Sequence, residues 1–215
     1  MGLIVQKGAT LTIEAGVEVR FDDNMLSIGG TFDDGGGKLI AQGTDTDKIV
    51  FTSNKDTPAP GDWTCIYFGN YASDDSIFEN CIVEYAGGAV SYSGNIRISN
   101  SSPTINKCVI RYGKRGMFIQ HGSYPIITCC DIHDNDAGIY VTESHAELHY
   151  NNIFGNTSYG IHVPTAYGSA DAENNWWGDA SGPGGVGNGA GDTVSGYVNF
   201  RPWLTAIVTS PCPPH

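Results

Sequence analysis

Basic side chains are scarce: 11 Lys and Arg stand against 23 Asp and Glu in 215 residues, a formal charge of -12. A surface of that sign repels phosphate backbones, which removes nucleic acid from the expected partners. Long apolar runs are missing as well. None approaches the roughly 20 residues a helix needs to cross a bilayer, so membrane insertion is not expected. The opening Met1-Gly2-Leu3-Ile4-Val5 lacks a charged and then apolar leader. The reading therefore expects a trimmed piece of a larger multidomain protein, its signal peptide outside the sequence. The six cysteines contain no CxxC pair and the six histidines no HExxH, which removes the common zinc and dithiol motifs. His145 and His149 are four apart, but on a segment that reads as strand and turn, where helical metal geometry does not apply. Glycine, by contrast, is abundant at 29, with 10 prolines. Apolar residues come in short alternating triplets such as Leu11-Thr12-Ile13, Leu26-Ser27-Ile28 and Ile49-Val50-Phe51, too short for helices. An all-β chain follows.

The chain repeats. Asn80-Cys81-Ile82-Val83-Glu84-Tyr85, Lys107-Cys108-Val109-Ile110-Arg111-Tyr112, Cys129-Cys130-Asp131-Ile132-His133-Asp134, Tyr150-Asn151-Asn152-Ile153-Phe154-Gly155 and Glu173-Asn174-Asn175-Trp176-Trp177-Gly178 align with steps of 27, 22, 21 and 23 residues. Gly116-Met117-Phe118-Ile119, Gly138-Ile139-Tyr140-Val141 and Gly160-Ile161-His162-Val163 recur every 22. Pro103-Thr104-Ile105, Pro125-Ile126-Ile127 and Ala146-Glu147-Leu148 supply a third strand. Three short strands per turn of about 22 residues make a right-handed parallel β-helix solenoid in which like residues stack ~4.8 Å apart. The reading places one such domain at 1–204, with a loop at Asn54 to Asp62 and a Pro-rich tail at 205–215.

Strand parity assigns faces. Cys81, Cys108, Cys130, Asn151 and Asn174 are expected inside with Val83, Ile110, Ile132 and Ile153, since the opposite choice buries Glu84, Arg111 and His133. Cys129 faces outward. If a disulfide forms, Cys212 in the tail is its favoured partner, while neighbouring ladder cysteines also lie within bonding reach.

The strings LTIEAGVEVRF, GKLIAQGTDTDKIVFTS, GDWTCIYF, NNWWGDASGPGG and DTVSGYVNFRPWL resemble the pectate-lyase-like right-handed parallel β-helix repeat proteins of bacterial and archaeal surfaces. The resemblance implies a secreted or cell-surface location. It leaves the chemistry open, because that family holds polysaccharide lyases, hydrolases and epimerases beside surface proteins with no reaction. A solenoid's last coil exposes apolar cross-section, and Trp176, Trp177 and Trp203 are read as its C-terminal cap in preference to sugar-stacking platforms.

Outward positions form two stripes: Glu84, Arg111, His133, Phe154 and Trp177 on one strand, and Val90, Phe118, Tyr140 and His162 on the next. Side by side they suggest a shallow groove for a polysaccharide, and Glu84, Arg111, His133, Phe154, Phe118, Tyr140 and His162 are the candidate carbohydrate-binding residues. Two functions stay open. The preferred one is a non-catalytic extracellular module that binds carbohydrate along this face. The alternative is a lyase or glycosidase acting on an acidic glycan through Glu84, Arg111 and His133, with Lys114-Arg115 as a base. No complete catalytic string is present, so no catalytic residue is assigned. Calcium is the one cofactor the enzymatic alternative calls for, and Asp131, Asp134, Asp136 and the pairs Asp22-Asp23, Asp33-Asp34 and Asp74-Asp75 are acidic enough to hold it. Turns prefer the same residues, and the turn reading is preferred.

Overall fold

The computed structural model describes residues 2–6, 8–29, 36–70, 72–88, 94–209 and 212. Among them are 23 strands and no helix. The strands form sheets of nine, eight and six members, called I, II and III here, each built from every third strand of the chain save that the last two strands of sheet I, Gly191–Gly196 and Pro183–Gly185, are consecutive. Neighbouring strands pair in parallel throughout: Ile96↔Met117↔Ile139↔Ile161 in sheet I and Val83↔Ile110↔Ile132↔Ile153 in sheet III. This is the expected solenoid, and alternate residues of all three sheets fill one continuous core. In the N-terminal half Phe51, Phe68 and Phe78 fill the core, with the Phe78 ring 5.4 Å from Phe51 and 6.3 Å from Phe68.

Many corners bend through a residue at positive φ. Between sheets II and III these are Asn80, Lys107, Cys129, Tyr150 and Asn174, and between sheets III and I they include Tyr85, Tyr112 and Asp134. A bend this tight turns backbone N–H and C=O groups into the core, where an unmet group costs about 1–3 kcal/mol. Ladders of small polar side chains meet them, one ladder at each corner.

The first ladder is Cys81, Cys108, Cys130, Asn151 and Asn175, all buried. Asn151 Oδ1 accepts from Cys130 N at 2.9 Å, and Asn175 Oδ1 accepts from Asn151 N at 2.8 Å. The three cysteines stack inside as free thiols. Hydrogen bonding to Cys108 together with burial pushes the Cys81 thiol up, and burial pushes Cys130 up. The expected last member, Asn174, is corrected by one residue: it occupies the bend, and Asn175 points inward. The second ladder is Asn95, Asn135 and Asn156, ending on Asp192, and the third is Ser101, Ser123 and Ser144.

That one-residue correction flips both tryptophans. Trp177, expected outside, is fully buried and closes the core with Trp203 packed on it, whereas Trp176, expected in the cap, lies outside beside Phe154 with ring centroids 5.4 Å apart. From there the chain runs back down the outside of sheet III. Leu204 N donates to Asn175 O, Val208 pairs with Asn152, and Cys212 forms a disulfide with Cys129, Cα to Cα 6.0 Å.

Candidate functional site

Parallel register places the expected stripes as read: Glu84↔Arg111↔His133↔Phe154 on sheet III and Phe118↔Tyr140↔His162 on sheet I. Val90 lies outside the described residues. The position below Phe118 belongs to Arg97, and below that to Tyr67.

On sheet III the stripe is occupied with itself. Glu84 is buried, contrary to the exposed ladder expected, and its carboxylate accepts from Thr52 Oγ1 at 2.9 Å and from Arg111 Nε at 2.9 Å. His133 Nδ1 meets Asp134 Oδ2 at 2.9 Å, and its ring lies flat on Phe154, 4.8 Å away and 8° from parallel. Tyr85 and Tyr112 stack in the same way at 5.5 Å. Rings stacked along the solenoid axis turn their edges, not their faces, to solvent. A pyranose needs a free face for C–H contact, so this stripe offers none between its members.

Sheet I differs. Phe118 is 3% exposed although its strand points it outward. It stacks on Tyr140 at 5.2 Å, and the Arg115 guanidinium lies 5.8 Å from its centroid. Around this apolar floor opens a depression of about 580 Å³ walled by Arg97, Arg115, Gln120, His121, Thr142 and Glu143. Arg97 sits 4.8 Å above the Tyr67 ring. With the Gln120 carboxamide oxygen turned towards it, Arg97 donates from Nη2 at 2.7 Å and Nε at 3.2 Å. Ser99 Oγ lies 3.1 Å from His121 Nδ1, and His121 Nε2 lies 4.0 Å from Glu143 Oε2.

A serine, a histidine and a carboxylate in a row invite comparison with a nucleophilic triad, but burial runs the wrong way. Ser99 is 2% exposed and also donates to Asn70 Oδ1, whereas the carboxylate that should be buried to orient the imidazole is 60% exposed. The row therefore positions His121 at the rim of the depression.

The depression stops at Arg115. Thr157, Ser158 and Tyr159 belong to the corner beyond, where Tyr159 reaches Tyr140 and His162 at 6.4 and 5.2 Å. Burial pushes the Tyr159 phenol up, against the opposing pull of its hydrogen bond with Arg115, and burial pushes the His162 imidazole down. His162 Nδ1 is bound to Ser195 Oγ. The two stripes thus do not share one groove: none of Glu84, Arg111, His133 or Phe154 lines the depression. Of the expected carbohydrate-binding residues only Phe118 and Tyr140 belong to it, joined by Arg115 from the pair read as a candidate base. Arg97, Gln120, Thr142 and Glu143 escaped the sequence reading, although the alternation Ile96-Arg97-Ile98-Ser99, 21 residues before Met117-Phe118-Ile119-Gln120, marks the strand.

Among the described residues no group of three or more His, Cys, Asp or Glu side chains could hold a metal ion. The acidic turns bond locally instead. Asp131 accepts from Asn152 Nδ2 at 2.7 Å, Asp74 from Ser102 N at 2.6 Å and Asp22 from Asn54 Nδ2 at 3.1 Å, while Asp33-Asp34 lies outside the described residues.

A family model described as "Right handed beta helix region" matches residues 45–196. No curated protein and no solved structure matches the chain.

Proposed function

Because the chain belongs to the right-handed beta helix family, we propose that it is a non-catalytic extracellular module of a prokaryotic secreted or surface protein that binds carbohydrate on the outer face of sheet I. The observation that carries this reading is the depression around Phe118. Donors and acceptors from three successive coils, Arg97, Gln120, His121 and Glu143 among them, converge on one apolar floor. Rigid strands hold that arrangement, and a few fixed donors and acceptors gathered in one depression suit a sugar's hydroxyls. The Cys129–Cys212 disulfide supports an oxidising, extracytoplasmic location, and the charge of -12 supports solubility there. Glu84 and Arg111 are tied to each other and the His133 ring is stacked on Phe154, so the three residues that the enzymatic alternative calls on are engaged within the protein, which supports binding over catalysis.

A glycan array with and without calcium should first identify an oligosaccharide. Calorimetry with that oligosaccharide should then show at least a tenfold loss of affinity, about 1.4 kcal/mol, in Arg97→Ala and no loss in Arg111→Ala. Equal affinities for wild type and Arg97→Ala would remove the site. Absorbance from unsaturated uronate products would replace binding by lyase chemistry.

A further inference from the structure

Two strings in the chain fit the acceptor pattern for sugar on asparagine, Asn-Xaa-Ser or Thr with Xaa not proline: Asn100-Ser101-Ser102 and Asn156-Thr157-Ser158. The fold treats them oppositely. Asn156 is 7% exposed and belongs to the asparagine ladder. Both hydrogens of its Nδ2 are used, one on Ile132 O at 2.9 Å and the other on Asp192 Oδ2 at 2.8 Å. A sugar on that nitrogen replaces one of them, so a chain modified there cannot complete the ladder. Asn100 lies at the bend that leaves the sheet I strand Ile96–Ser99, at φ 50°. It is exposed, and its backbone N donates to Gln120 O at 3.3 Å. Among the described residues no hydrogen bond engages its carboxamide.

The solenoid accounts for the middle residue of the exposed string and for neither of the two that the pattern requires. Ser101 belongs to the buried serine ladder with Ser123 and Ser144. On the next two coils the bend that Asn100 occupies is taken by His121 and Glu143, both also at positive φ, so the bend does not call for asparagine. Ser102 stands in register with Tyr124 and His145, so the sheet does not call for serine. In the second string, by contrast, the ladder through Asn95 and Asn135 explains the asparagine by itself.

We propose that Asn100 is an attachment site for an N-linked glycan, donated by a lipid-linked oligosaccharide pyrophosphate. Asn100 Nδ2 forms the bond to the sugar C1 while the bond from C1 to the pyrophosphate oxygen breaks. The lipid pyrophosphate leaves with that electron pair, and one amide proton passes to the transferase. Transfer after folding finds only Asn100 in solvent. Transfer before folding reaches both strings, but only chains without sugar on Asn156 close their ladder and accumulate. The site rests on the extracytoplasmic location proposed above and not on the depression, which Asn100 does not line.

The test uses the protein recovered from its natural source, separated by cell compartment. Peptides carrying Asn100 and Asn156 are fragmented in a mass spectrometer under conditions that leave a glycan on its residue. Extracytoplasmic protein should carry a glycan on Asn100 and none on Asn156. Ser102→Ala, expressed in the same source, should lower occupancy of Asn100 at least tenfold, and Ser102→Thr, which keeps the hydroxyl that the pattern requires, should restore it. Circular dichroism of both variants should match wild type, since Ser102 lies at the surface, where its hydroxyl accepts one bond, from Tyr124 N. Bare Asn100 in extracytoplasmic protein overturns the site and leaves the location standing, whereas bare Asn100 in protein confined to the cytoplasm overturns both. A glycan that survives Ser102→Ala, or one on Asn156 of the folded protein, overturns the site as well.

Discussion

Asn135 is the side chain on which the corner between sheets III and I depends most. It is 1% exposed. Its Oδ1 accepts from Gly113 N at 3.0 Å, and its Nδ2 donates to Ile110 O at 3.1 Å, His133 O at 3.0 Å and Asn156 Oδ1 at 3.0 Å. It also receives Asn95 Nδ2 at 3.3 Å. In Asn135→Ala the buried Gly113 N–H loses the acceptor described for it, at about 1–3 kcal/mol, and two further net hydrogen bonds vanish at about 1 kcal/mol each. The expected loss is therefore about 3–5 kcal/mol, a large share of the roughly 5–15 kcal/mol that holds a typical domain. Urea unfolding followed by tryptophan fluorescence would measure it. Asn135→Asp supplies the control. It keeps the acceptor for Gly113 but sets an anion against three acceptors, Ile110 O, His133 O and Asn156 Oδ1. Asp should therefore be far worse than Asn at pH 7 and recover much of the difference near pH 4, where the carboxyl can protonate and donate. A loss under about 1 kcal/mol in Asn135→Ala, or an Asp variant as stable as wild type at pH 7, would show that water replaces this ladder without cost and would refute the reasoning.

Three further outcomes are expected. Ile132→Ala, fully buried between Ile110 and Ile153, should cost about 2–5 kcal/mol in the same assay, because stacked neighbours cannot close on the gap; a shift near zero would contradict its place in the core. Asp192 ends the asparagine ladder, and burial holds its carboxyl above the ordinary range despite the hydrogen bonds from Asn156. With the folded value raised, its stabilising contribution is complete below the unfolded value of about 3.9 and is lost as pH rises through the folded value. Asp192→Asn should thus melt higher than wild type at pH 7 and nearly equal to it at pH 3, and a gain of the same size at both pH values would exclude this titration. Arg111→Ala should cost about 1–2 kcal/mol, more than an exposed ion pair, because it strips a charged hydrogen bond from the buried Glu84 carboxylate; a loss indistinguishable from zero in thermal unfolding would place that carboxylate in water.

The solenoid was legible because stacking repeats the same physical demand every coil. Spacing alone placed Cys81, Cys108 and Cys130 inside and Cys129 outside, whereas the Cys129–Cys212 bond was only the favoured pairing until the fold brought the two together. It failed where two neighbouring residues satisfy the same demand. Asn174 and Asn175 can each take the positive-φ bend or the buried ladder position, and choosing wrongly exchanged Trp176 and Trp177. The asparagine ladder through Asn95, Asn135 and Asn156 stayed hidden because Gly113 takes a place in its rhythm, and Asn95 Nδ2 reaches Asn135 across that gap.

Composition and period by themselves determined that this chain is a parallel β-solenoid and, short of its closing coil, which residues fill it, since burial with period two admits one solution per strand. The site was decided elsewhere. Whether outward rings present faces to a ligand or stack on one another, as His133 does on Phe154, depends on side-chain rotamers that alternation does not encode. Arg97 stands 21 residues before Phe118 and directly beneath it, but the spacing does not say that its guanidinium turns towards Gln120 beside the depression. Only the assembled stack settled that, because the rotamer of an outward side chain is chosen by its neighbours on the coils above and below.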